Sequence, residues 1–555
     1  MFDITEEPAS SLLVTGSRVY TGISAAPWAE AVLCEGGLVR YVGTEAEARD
    51  LAPAGTEHVH IPAGLVTAGL NDSHLHTDYG AYDLTILSLE GVTDLSEMLD
   101  RIRAYAQVNP DREWIEGYGV FYEVWQGLAG PERLAIDSAV SDRPVFLKAF
   151  DGHSSWVNTE ALRRSGIERG AGSPPPNVVI TGDDGLATGM LTEGAAGFIE
   201  RVMGEPTESE REEMLVNAIR YLNSLGITSV QNMKEDLGVL QRWQRVRERG
   251  ALTLRAYHYL IVDESTPRDY LLDCKQYTEA FSDDWNRTSG IKLFMDGVVE
   301  AKTAWMHNPY ADGSGDRGVP NITPEVFRDI VVAADALDMD VAVHAIGEQA
   351  VHHTLDSYQA AQEVNGGRRD RRHRVEHIET ILTSDIARFG QLGVTASMQP
   401  LHAAPTSDPR FTPWTLLAGP EREPYSFPWR RLADGGAVLS FGSDWPVVTA
   451  DVRPGLHAAV TRRSTSGEPA GGWQPQQCVT LEEALRAYTA GAAYAQRAER
   501  KKGRLRPGMF ADLTIFDRDL FAVPPSEILQ ARIELTVVSG RVVYRRAELN
   551  AAVGA

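Results

Sequence analysis

The sequence predicts an α/β fold in which eight parallel strands form a TIM-like (β/α)8 barrel. Short apolar runs rich in β-branched residues alternate with helical stretches through the middle of the chain. Both ends of the chain have the alternating pattern of short strands. The length of 555 residues exceeds one small domain, and it fits one large barrel with appended modules.

Eight candidate strands would form the barrel. They lie at 65–76, 226–232, 254–262, 290–297, 340–347, 373–379, 393–400 and 437–446. Residues 208–226 and 323–338 have the apolar spacing of amphipathic helices and lie between strands. This alternation is typical of βα units around a parallel sheet.

The chain is expected to divide into three parts. Residues 1–65 and 500–555 are strand-rich, and we expect them to form one β domain together. The barrel would comprise residues 66–80 and 216–499. Because the interval between the first two barrel strands is too long for one helix, residues 81–215 are expected to form an inserted α/β subdomain.

Composition excludes several classes of protein. The net charge of −24 argues against nucleic acid as a partner, because phosphate binding needs clustered Lys and Arg. No apolar run is long enough to span a membrane, and the acidic N-terminus is unlike a signal peptide, so we expect a cytoplasmic protein. The 3 cysteines form no disulfide or metal-binding pattern. The expected partner is a small-molecule substrate, and assembly into a homo-oligomer stays open.

Two histidines, His74 and His76, end the first predicted barrel strand. Because residues i and i+2 of a strand point the same way, both imidazoles can reach one ion. Such a pair is weak on its own, since most histidine pairs bind no metal. However, His344, His377 and Asp444 also end predicted strands. Catalytic groups of these barrels lie at the C-terminal strand ends, so the pattern favours a metal-dependent hydrolase.

Lys292 lies within an apolar predicted strand, where a free ammonium group is costly. A modified lysine beside the metal site would avoid this cost. The alternative is a buried ion pair with a nearby acid such as Asp296.

In order along the chain, the motifs resemble the amidohydrolase superfamily, in the branch called amidohydrolase family 3, which includes N-substituted formamide deformylases. The motifs are NDSHLH, DGHSSWVNTEAL, GITSVQN, GIKLFMDG, VAVHAIGEQAV, RVEHIE, FGSDWPV and GRLRPGMFADLTIFD. The resemblance implies a distorted barrel and a β-sandwich built from both termini. After MDG, relatives often continue Ser-Leu-Gly-Ser-Arg-Thr-Ala, whereas this chain has Glu300 and Lys302. If this loop touches substrate, the specificity of relatives does not transfer.

The resemblance also implies a divalent metal site, most often zinc, with two ions favoured over one. The implied ligands are His74, His76, Lys292, His344, His377 and Asp444. The first two histidines and the aspartate would bind the more buried ion, and the last two histidines the second. Lys292, carboxylated by CO2, would bridge the ions. Attack of a metal-bound hydroxide on the carbonyl would follow, with Asp444 accepting the water proton and passing it to the leaving nitrogen.

Further residues are candidates for binding substrate. They are Trp125, Asp151, His153, Trp305, Gln399 and Trp445. Any one aromatic residue is more often a core residue, but together they favour an apolar pocket with a few polar anchors. The resemblance implies a small amide with a hydrophobic N-substituent, cleaved at its C–N bond as in the N-substituted formamides.

Other functions remain open at this stage. The substrate could be an N-acyl amino acid, carbamate, lactone or cyclic amide, and Arg374 or Lys302 could bind a substrate carboxylate. Deamination is less favoured, because mononuclear deaminases generally lack the lysine found here at position 292. A non-catalytic metal-binding relative would be expected to have lost at least one ligand, and this chain retains all of them.

Overall fold

The computed structural model describes residues 11–125, 127–149, 154–171, 178–366, 370–404 and 408–547. The chain forms two compact units, one of residues 1–77 with 219–555 and one of residues 78–218. Within the described ranges, each helix is too short or too polar to cross a bilayer.

The first unit begins with short strands and one helix. These are β1 (Ser11–Thr15), β2 (Arg18–Tyr20), β3 (Trp28–Ala29), β4 (Ala31–Glu35), β5 (Leu38–Gly43), α1 (Glu45–Leu51), β6 (Glu57–His60), β7 (Leu65–Ala68) and β8 (Leu70–Leu75). Helix α2 (Thr77–Asp83) follows β8. Thr44 caps α1 by accepting a hydrogen bond from the Glu47 backbone N–H.

The second unit is an α/β module with its own core. Its elements are β9 (Leu87–Ser88), α3 (Leu95–Val108), β10 (Ile115–Val120), α4 (Glu132–Ala139), β11 (Val145–Ala149), β12 (Ser154–Val157), α5 (Thr159–Arg164), β13 (Val179–Thr181), β14 (Ala187–Thr192) and α6 (Gly197–Met203). The strands form one sheet in the order β13-β14-β12-β11-β10-β9. Ile102 of α3 packs against Ile115 and Val145 of this sheet.

Helix α7 (Glu208–Ser224) leads into a strand–helix alternation. Its elements are β15 (Ile227–Glu235), α8 (Leu237–Glu248), β16 (Arg255–Ile261), α9 (Tyr270–Ala280), β17 (Asn286–Phe294), α10 (Pro324–Ala336), β18 (Asp340–Ala345), α11 (Glu348–Asn365), β19 (Arg374–His377), α12 (Ile386–Leu392), β20 (Thr395–Met398), α13 (Pro413–Ala418), α14 (Trp429–Asp434) and β21 (Val438–Phe441). The chain ends with α15 (Val452–Thr461), α16 (Leu481–Arg486), α17 (Ala492–Ala495), β22 (Leu513–Phe516), β23 (Ile533–Val538) and β24 (Arg541–Arg545).

The predicted eight-stranded parallel barrel is confirmed. Its strands follow the order β8-β15-β16-β17-β18-β19-β20-β21. The two end strands are joined through the segment after β21. There the backbone N–H of Asp444 donates to the His74 carbonyl at 2.7 Å, and that of Ser443 donates to Asp72 Oδ1 at 3.0 Å. The C-terminal ends of the strands therefore meet at one mouth.

Strands from both ends of the chain form the two remaining sheets of the first unit. One has the order β5-β4-β1-β6 and the other β24-β23-β22-β7-β2-β3. A single apolar core includes Val14 and Val32 of the first sheet with Val66, Leu513 and Leu535 of the second. Two sheets sharing one core is the arrangement of a β-sandwich.

The first predicted barrel strand, 65–76, is divided into β7 and β8 at Gly69. The Gly69 N–H donates to the Asp512 carbonyl at 2.8 Å. A Cβ at this position would collide with the Thr228 side chain. The close approach therefore requires glycine, and it lets the chain pass from the sandwich to the barrel within one residue.

Candidate metal centre

Side chains from three barrel strands converge at the mouth. His74 is the penultimate residue of β8 and His76 directly follows that strand, His377 ends β19, and Asp444 lies three residues after β21. Asp444 Oδ1 lies 3.3 Å from His74 Nε2 and 3.2 Å from His76 Nε2. The ligand atoms of His74, His377 and Asp444 all lie within 4.8 Å of one another. The structure thus brings four of the six sequence-predicted ligands into direct proximity.

The hydrogen bonds of His74 and His76 determine where their lone pairs point. His74 Nδ1 lies 2.7 Å from Glu376 Oε2, and His76 Nδ1 lies 3.0 Å from the Met233 carbonyl oxygen. Because both oxygens accept, each Nδ1 carries the proton of the neutral ring and each Nε2 presents a lone pair. Both lone pairs face Asp444 Oδ1, which accepts no hydrogen bond from the described residues. The Nε2 atoms of His74 and His76 and the Oδ1 atom of Asp444 therefore form a cluster of donor atoms suited to a cation.

Glu376 fixes the orientation of His74. It is fully buried, and Arg374 Nε donates to its Oε1 at 2.5 Å. Although burial opposes ionisation, Arg374 and His74 lower the pKa of Glu376 well below its usual value. The carboxylate is therefore charged and holds the Nδ1–H of His74, which raises the basicity of Nε2, as such carboxylates do for histidines that bind metals.

Asp72 links β8 to the segment that carries Asp444. Its Oδ1 accepts the backbone N–H of His74 at 3.1 Å and that of Ser443 at 3.0 Å. Burial raises the pKa of Asp72 to about 6, while these hydrogen bonds act in the opposite direction. The side chain therefore holds β8 in register with the loop of Asp444.

Lys292 projects from β17 into the same region. It is fully buried, and its Nζ has no hydrogen-bond partner among the described residues. Burial lowers the pKa of Lys292 to about 8, against the opposite influence of Glu376 and Asp444. The alternative ion pair with Asp296 is not formed. Asp296 instead accepts backbone N–H groups, including that of Gly347 at 2.8 Å.

His344 and His377 lie next to each other, with ring centroids 4.5 Å apart. The Nε2–H of His344 donates to the Gly297 carbonyl at 3.1 Å in the neutral ring, which leaves Nδ1 as its lone-pair donor. His377 Nδ1 is buried without a hydrogen-bond partner among the described residues. Burial lowers the pKa of His344 to about 3 and that of His377 well below its usual value. Both rings are therefore neutral at pH 7, as metal ligands must be.

The donor set fits a divalent metal ion. It combines imidazole nitrogens with one carboxylate, which are the ligands of catalytic zinc sites. His74, His76 and Asp444 would hold one such ion, and the ligand atom of His377 lies within 4.8 Å of those of His74 and Asp444. His344, His377 and a carboxylated Lys292 as ligands of a second ion remain predictions.

Among the predicted substrate residues, Gln399 directly follows the barrel strand β20. Ser397 Oγ accepts from Arg374 inside the barrel at 2.6 Å, and Gln399 follows in extended conformation. Gln399 therefore points inward, one layer nearer the mouth. It is 2% exposed, and neither atom of its amide has a hydrogen-bond partner among the described residues.

The other predicted substrate residues have varied surroundings. Trp445 is buried, with its ring 5.6 Å from that of Tyr221. The Trp305 ring lies 5.9 Å from that of His353 on α11. In the second unit, the Trp125 ring lies 5.4 Å from that of Trp156. Asp151 and His153 fall outside the described residues. Substrate contact by all these residues stays a prediction.

Residues that the sequence interpretation missed occupy the rim. His402 Nε2 lies 4.0 Å from Asp444 Oδ2, and His402 Nδ1 lies 3.9 Å from Glu379 Oε1. Glu379 and Asp444 raise the pKa of His402, although burial alone would lower it. The sequence could have indicated both residues, because each is a polar residue just beyond a predicted barrel strand: Glu379 in the segment IET and His402 in the segment QPLH.

Comparisons with known proteins agree with this geometry. Residues 64–544 match the family described as the amidohydrolase family. The protein Long After Far-Red 3 of Arabidopsis thaliana is 29% identical, over 96% of this chain and 92% of its own length. An N-substituted formamide deformylase of Arthrobacter pascens is 26% identical, over 96% of this chain and 98% of its own. The crystal structure of an uncharacterized metal-dependent hydrolase from Pyrococcus furiosus superposes with a TM-score of 0.72 and 25% identity, covering 93% of this chain and 100% of that one.

Proposed function

This chain belongs to the amidohydrolase family, and from that premise we propose that it is a metal-dependent hydrolase that cleaves the C–N bond of a small N-substituted amide. The observation that carries the proposal is the convergence of two imidazole lone pairs on the buried Asp444 carboxylate. Those atoms form the coordination site of a catalytic divalent ion. Zinc is the proposed ion, and His344, His377 and a carboxylated Lys292 would supply ligands for a second ion.

The ion, when bound, lowers the pKa of a water molecule from 15.7 to about 7 and polarises the substrate carbonyl. Asp444 accepts the proton from the attacking water at its carboxylate. The same carboxylate then donates that proton to the leaving nitrogen, so that the amine departs neutral. Asp444 is suited to this transfer because His74, His76 and the backbone fix its position. Glu376 holds His74 in the required tautomer throughout.

Several features support an amide with a hydrophobic substituent. The Gln399 amide can donate to a substrate carbonyl and accept from an amide N–H. Trp445 contributes apolar surface directly after Asp444. The deformylase relative is named for N-substituted formamides, which are amides of this type.

The candidate anchors for an N-acyl amino acid are engaged elsewhere. Arg374 is fully buried and paired with Glu376, and Lys302 Nζ lies 3.0 Å from Asp312. A substrate carboxylate would have to displace one of these partners. Neutral amides are therefore the favoured class among the hydrolytic alternatives.

A substrate screen tests the proposal. Zinc-loaded protein is incubated with N-benzylformamide, N-acetyl amino acids, a carbamate and a lactone, and the released products are quantified. We expect hydrolysis of the formamide, loss of that activity with a chelator, and recovery on adding zinc. Preferred hydrolysis of the lactone or the N-acetyl amino acids would refute the amide assignment, and metal-bound protein without any hydrolysis would favour a binding role.

A further inference from the structure

One aromatic side chain, Phe294, faces the barrel mouth beside the candidate metal centre. Phe294 is the last residue of β17, and it pairs with His344 in the parallel register of β17 and β18. Paired residues of neighbouring strands point to the same face of a sheet, so the ring lies on the inner side of the barrel with the imidazole. The two ring centroids are 5.1 Å apart, which places Phe294 in contact with a predicted metal ligand.

The exposure of β17 changes between its last two inward-facing residues. Lys292 is fully buried, and its Nζ lies 4.8 Å from the centroid of the Phe294 ring. Phe294, two residues nearer the mouth, is only partly buried. The ring thus presents apolar surface at the mouth. Covering such surface with another apolar group removes it from water, which is favourable in proportion to the area covered.

The loop after β17 adds a second apolar side chain near His344. The Gly297 carbonyl accepts the His344 Nε2–H at 3.1 Å, and the next residue, Val298, is 37% exposed. Relatives often have serine at this position, directly after MDG. The Val298 backbone N–H donates to Thr303 Oγ1 at 3.0 Å, so that hydroxyl is engaged within the loop. This chain therefore has a more apolar loop here than the usual family pattern.

The position of Phe294 complements that of Gln399. In the barrel, β18 and β19 separate β17 from β20, and these two strands carry His344 and His377. Both atoms of the buried Gln399 amide lack a hydrogen-bond partner among the described residues. A substrate held over the two histidines can therefore place its polar amide towards Gln399 and an apolar substituent towards Phe294.

We propose that Phe294 and Val298 form an aromatic subsite, which binds an aryl substituent of the substrate. An aryl group suits this surface better than an aliphatic group of similar size, because two rings in offset or edge-to-face contact attract each other beyond the area that they bury. The inference rests on the proposed function and deepens it. It specifies the kind of substituent and the strand against which the substituent packs.

Matched formamides test the preference. N-benzylformamide, N-(cyclohexylmethyl)formamide and N-methylformamide are compared by kcat/KM with zinc-loaded protein, and we expect that order. Phe294→Ala should lower the ratio of benzyl to methyl kcat/KM by about tenfold. Phe294→Leu and Val298→Ser should lower it less, since each removes a smaller part of the apolar surface. Val364→Ala, which shortens a side chain that is 69% exposed on α11, should leave the ratio as it is. Equal or faster hydrolysis of the cyclohexylmethyl compound would overturn the aromatic preference.

A binding measurement does not depend on turnover. Acetohydroxamate and phenylacetohydroxamate share a metal-binding group and differ by one phenyl group. Each is titrated calorimetrically into zinc-loaded wild type, Phe294→Ala and Val364→Ala proteins. We expect the phenyl compound to bind about tenfold more tightly to the wild type and to lose this advantage in Phe294→Ala. Unchanged acetohydroxamate affinity shows that the metal site is intact, and if Phe294→Ala loses that affinity, Phe294→Leu and Val298→Ser provide the comparison.

The two measurements separate this inference from the proposed function. If all formamides resist hydrolysis but the advantage of the phenyl compound depends on Phe294, the proposed reaction fails and the aromatic subsite stands. If N-benzylformamide is hydrolysed while neither the kinetic ratio nor the hydroxamate affinities depend on Phe294, the aromatic subsite is overturned and the reaction stands.

Discussion

At the residue scale, the arrangement around Asp444 determines what the site can do. Its Oδ1 lies 3.3 Å from His74 Nε2 and 3.2 Å from His76 Nε2. Burial raises the pKa of Asp444, but His74, His76 and His377 reverse that effect and lower it well below the usual value. The carboxylate is therefore ionised, as both a metal ligand and a proton acceptor must be.

Asp444→Asn separates ligation from proton transfer. The amide keeps an oxygen that can coordinate an ion, but it cannot accept a proton from water. We expect the variant to retain substantial metal while kcat falls by about 10²–10⁴-fold, the usual contribution of a general base. Asp434→Asn, which alters an exposed ion pair with Arg430, serves as the control. A near-normal kcat in Asp444→Asn would show that another group carries the proton.

Glu376→Gln should affect metal affinity and stability together. Loss of the carboxylate weakens the hold on the His74 Nδ1–H, and such changes typically reduce metal affinity about 10–100-fold. It also leaves Arg374 as an unpaired buried charge, for which we expect a loss of about 3–5 kcal/mol in the free energy of unfolding. Competition with a chelating dye measures the first effect, and denaturant unfolding of the metal-free protein measures the second.

A double variant distinguishes the two effects of that substitution. Adding Arg374→Met to Glu376→Gln removes the unpaired buried charge. Part of the lost free energy of unfolding should therefore return, while metal affinity stays low. Recovery of metal affinity in the double variant would mean that Glu376 acts on the site through Arg374 and not through His74.

At the scale of elements, the closure between β8 and β21 depends on close backbone packing. A Cβ at Gly442 would lie 2.5 Å from the backbone nitrogen of His74 and 2.8 Å from Asp72 Oδ1. The first atom is backbone, and the second belongs to a buried carboxylate held by the backbone N–H groups of His74 and Ser443, so the loop of Asp444 would have to move. The absence of a side chain at Gly442 thus allows the short distance between His74 on β8 and Asp444 after β21.

Gly442→Ala should therefore weaken the site without changing a ligand. We expect a loss of about 1–3 kcal/mol of stability, as for other overpacked positions, and weaker metal binding than in the wild type. Gly471→Ala is the matched control, because nothing lies within 4 Å of a Cβ at that position. Equal metal affinity in the two variants would show that the contact between β8 and the Asp444 loop accommodates the added Cβ.

The barrel could be predicted because short β-branched runs alternate with helical stretches along the sequence. The spacing of residues within a strand predicted only part of the site. His74 and His76 obey the alternation, so their shared direction follows from spacing. His377 does not, because it and Ile378 have φ values of 74° and 51°. This left-handed turn brings Glu376 and His377, adjacent in sequence, into the same site. Sequence spacing assigns such neighbours to opposite faces, which explains why Glu376 and the rim residue Glu379 were missed.

A second pair with the same spacing, His58 and His60, shows what sequence spacing omits. Both lie on β6 and contact Thr15 Oγ1, at 2.8 Å and 3.0 Å. No Asp or Glu completes a metal-binding group there among the described residues. The two histidine pairs have the same spacing in the sequence. They differ because the fold places Asp444 beside His74 and His76.

At the scale of the whole molecule, an ion held at this site would join distant parts of the chain. His74 precedes the second unit in sequence, whereas His377 and Asp444 follow it by more than a hundred residues. An ion that binds only the folded state, and whose free concentration is about 1,000 times its Kd, stabilises that state by about 4 kcal/mol. Metal removal should therefore lower the melting temperature, with recovery on adding zinc. An identical melting curve with and without chelator would mean that the ion contributes nothing to the fold.

The metal content of the purified protein shows whether His74 and His76 hold a divalent ion. Elemental analysis is carried out on the wild type, His74→Ala/His76→Ala and His58→Ala/His60→Ala after equal exposure to zinc and removal of free ions. We predict at least one divalent ion per chain in the wild type and in the β6 variant, and essentially none in the His74/His76 variant. Metal-free wild type, or undiminished metal in the His74/His76 variant, would contradict the account.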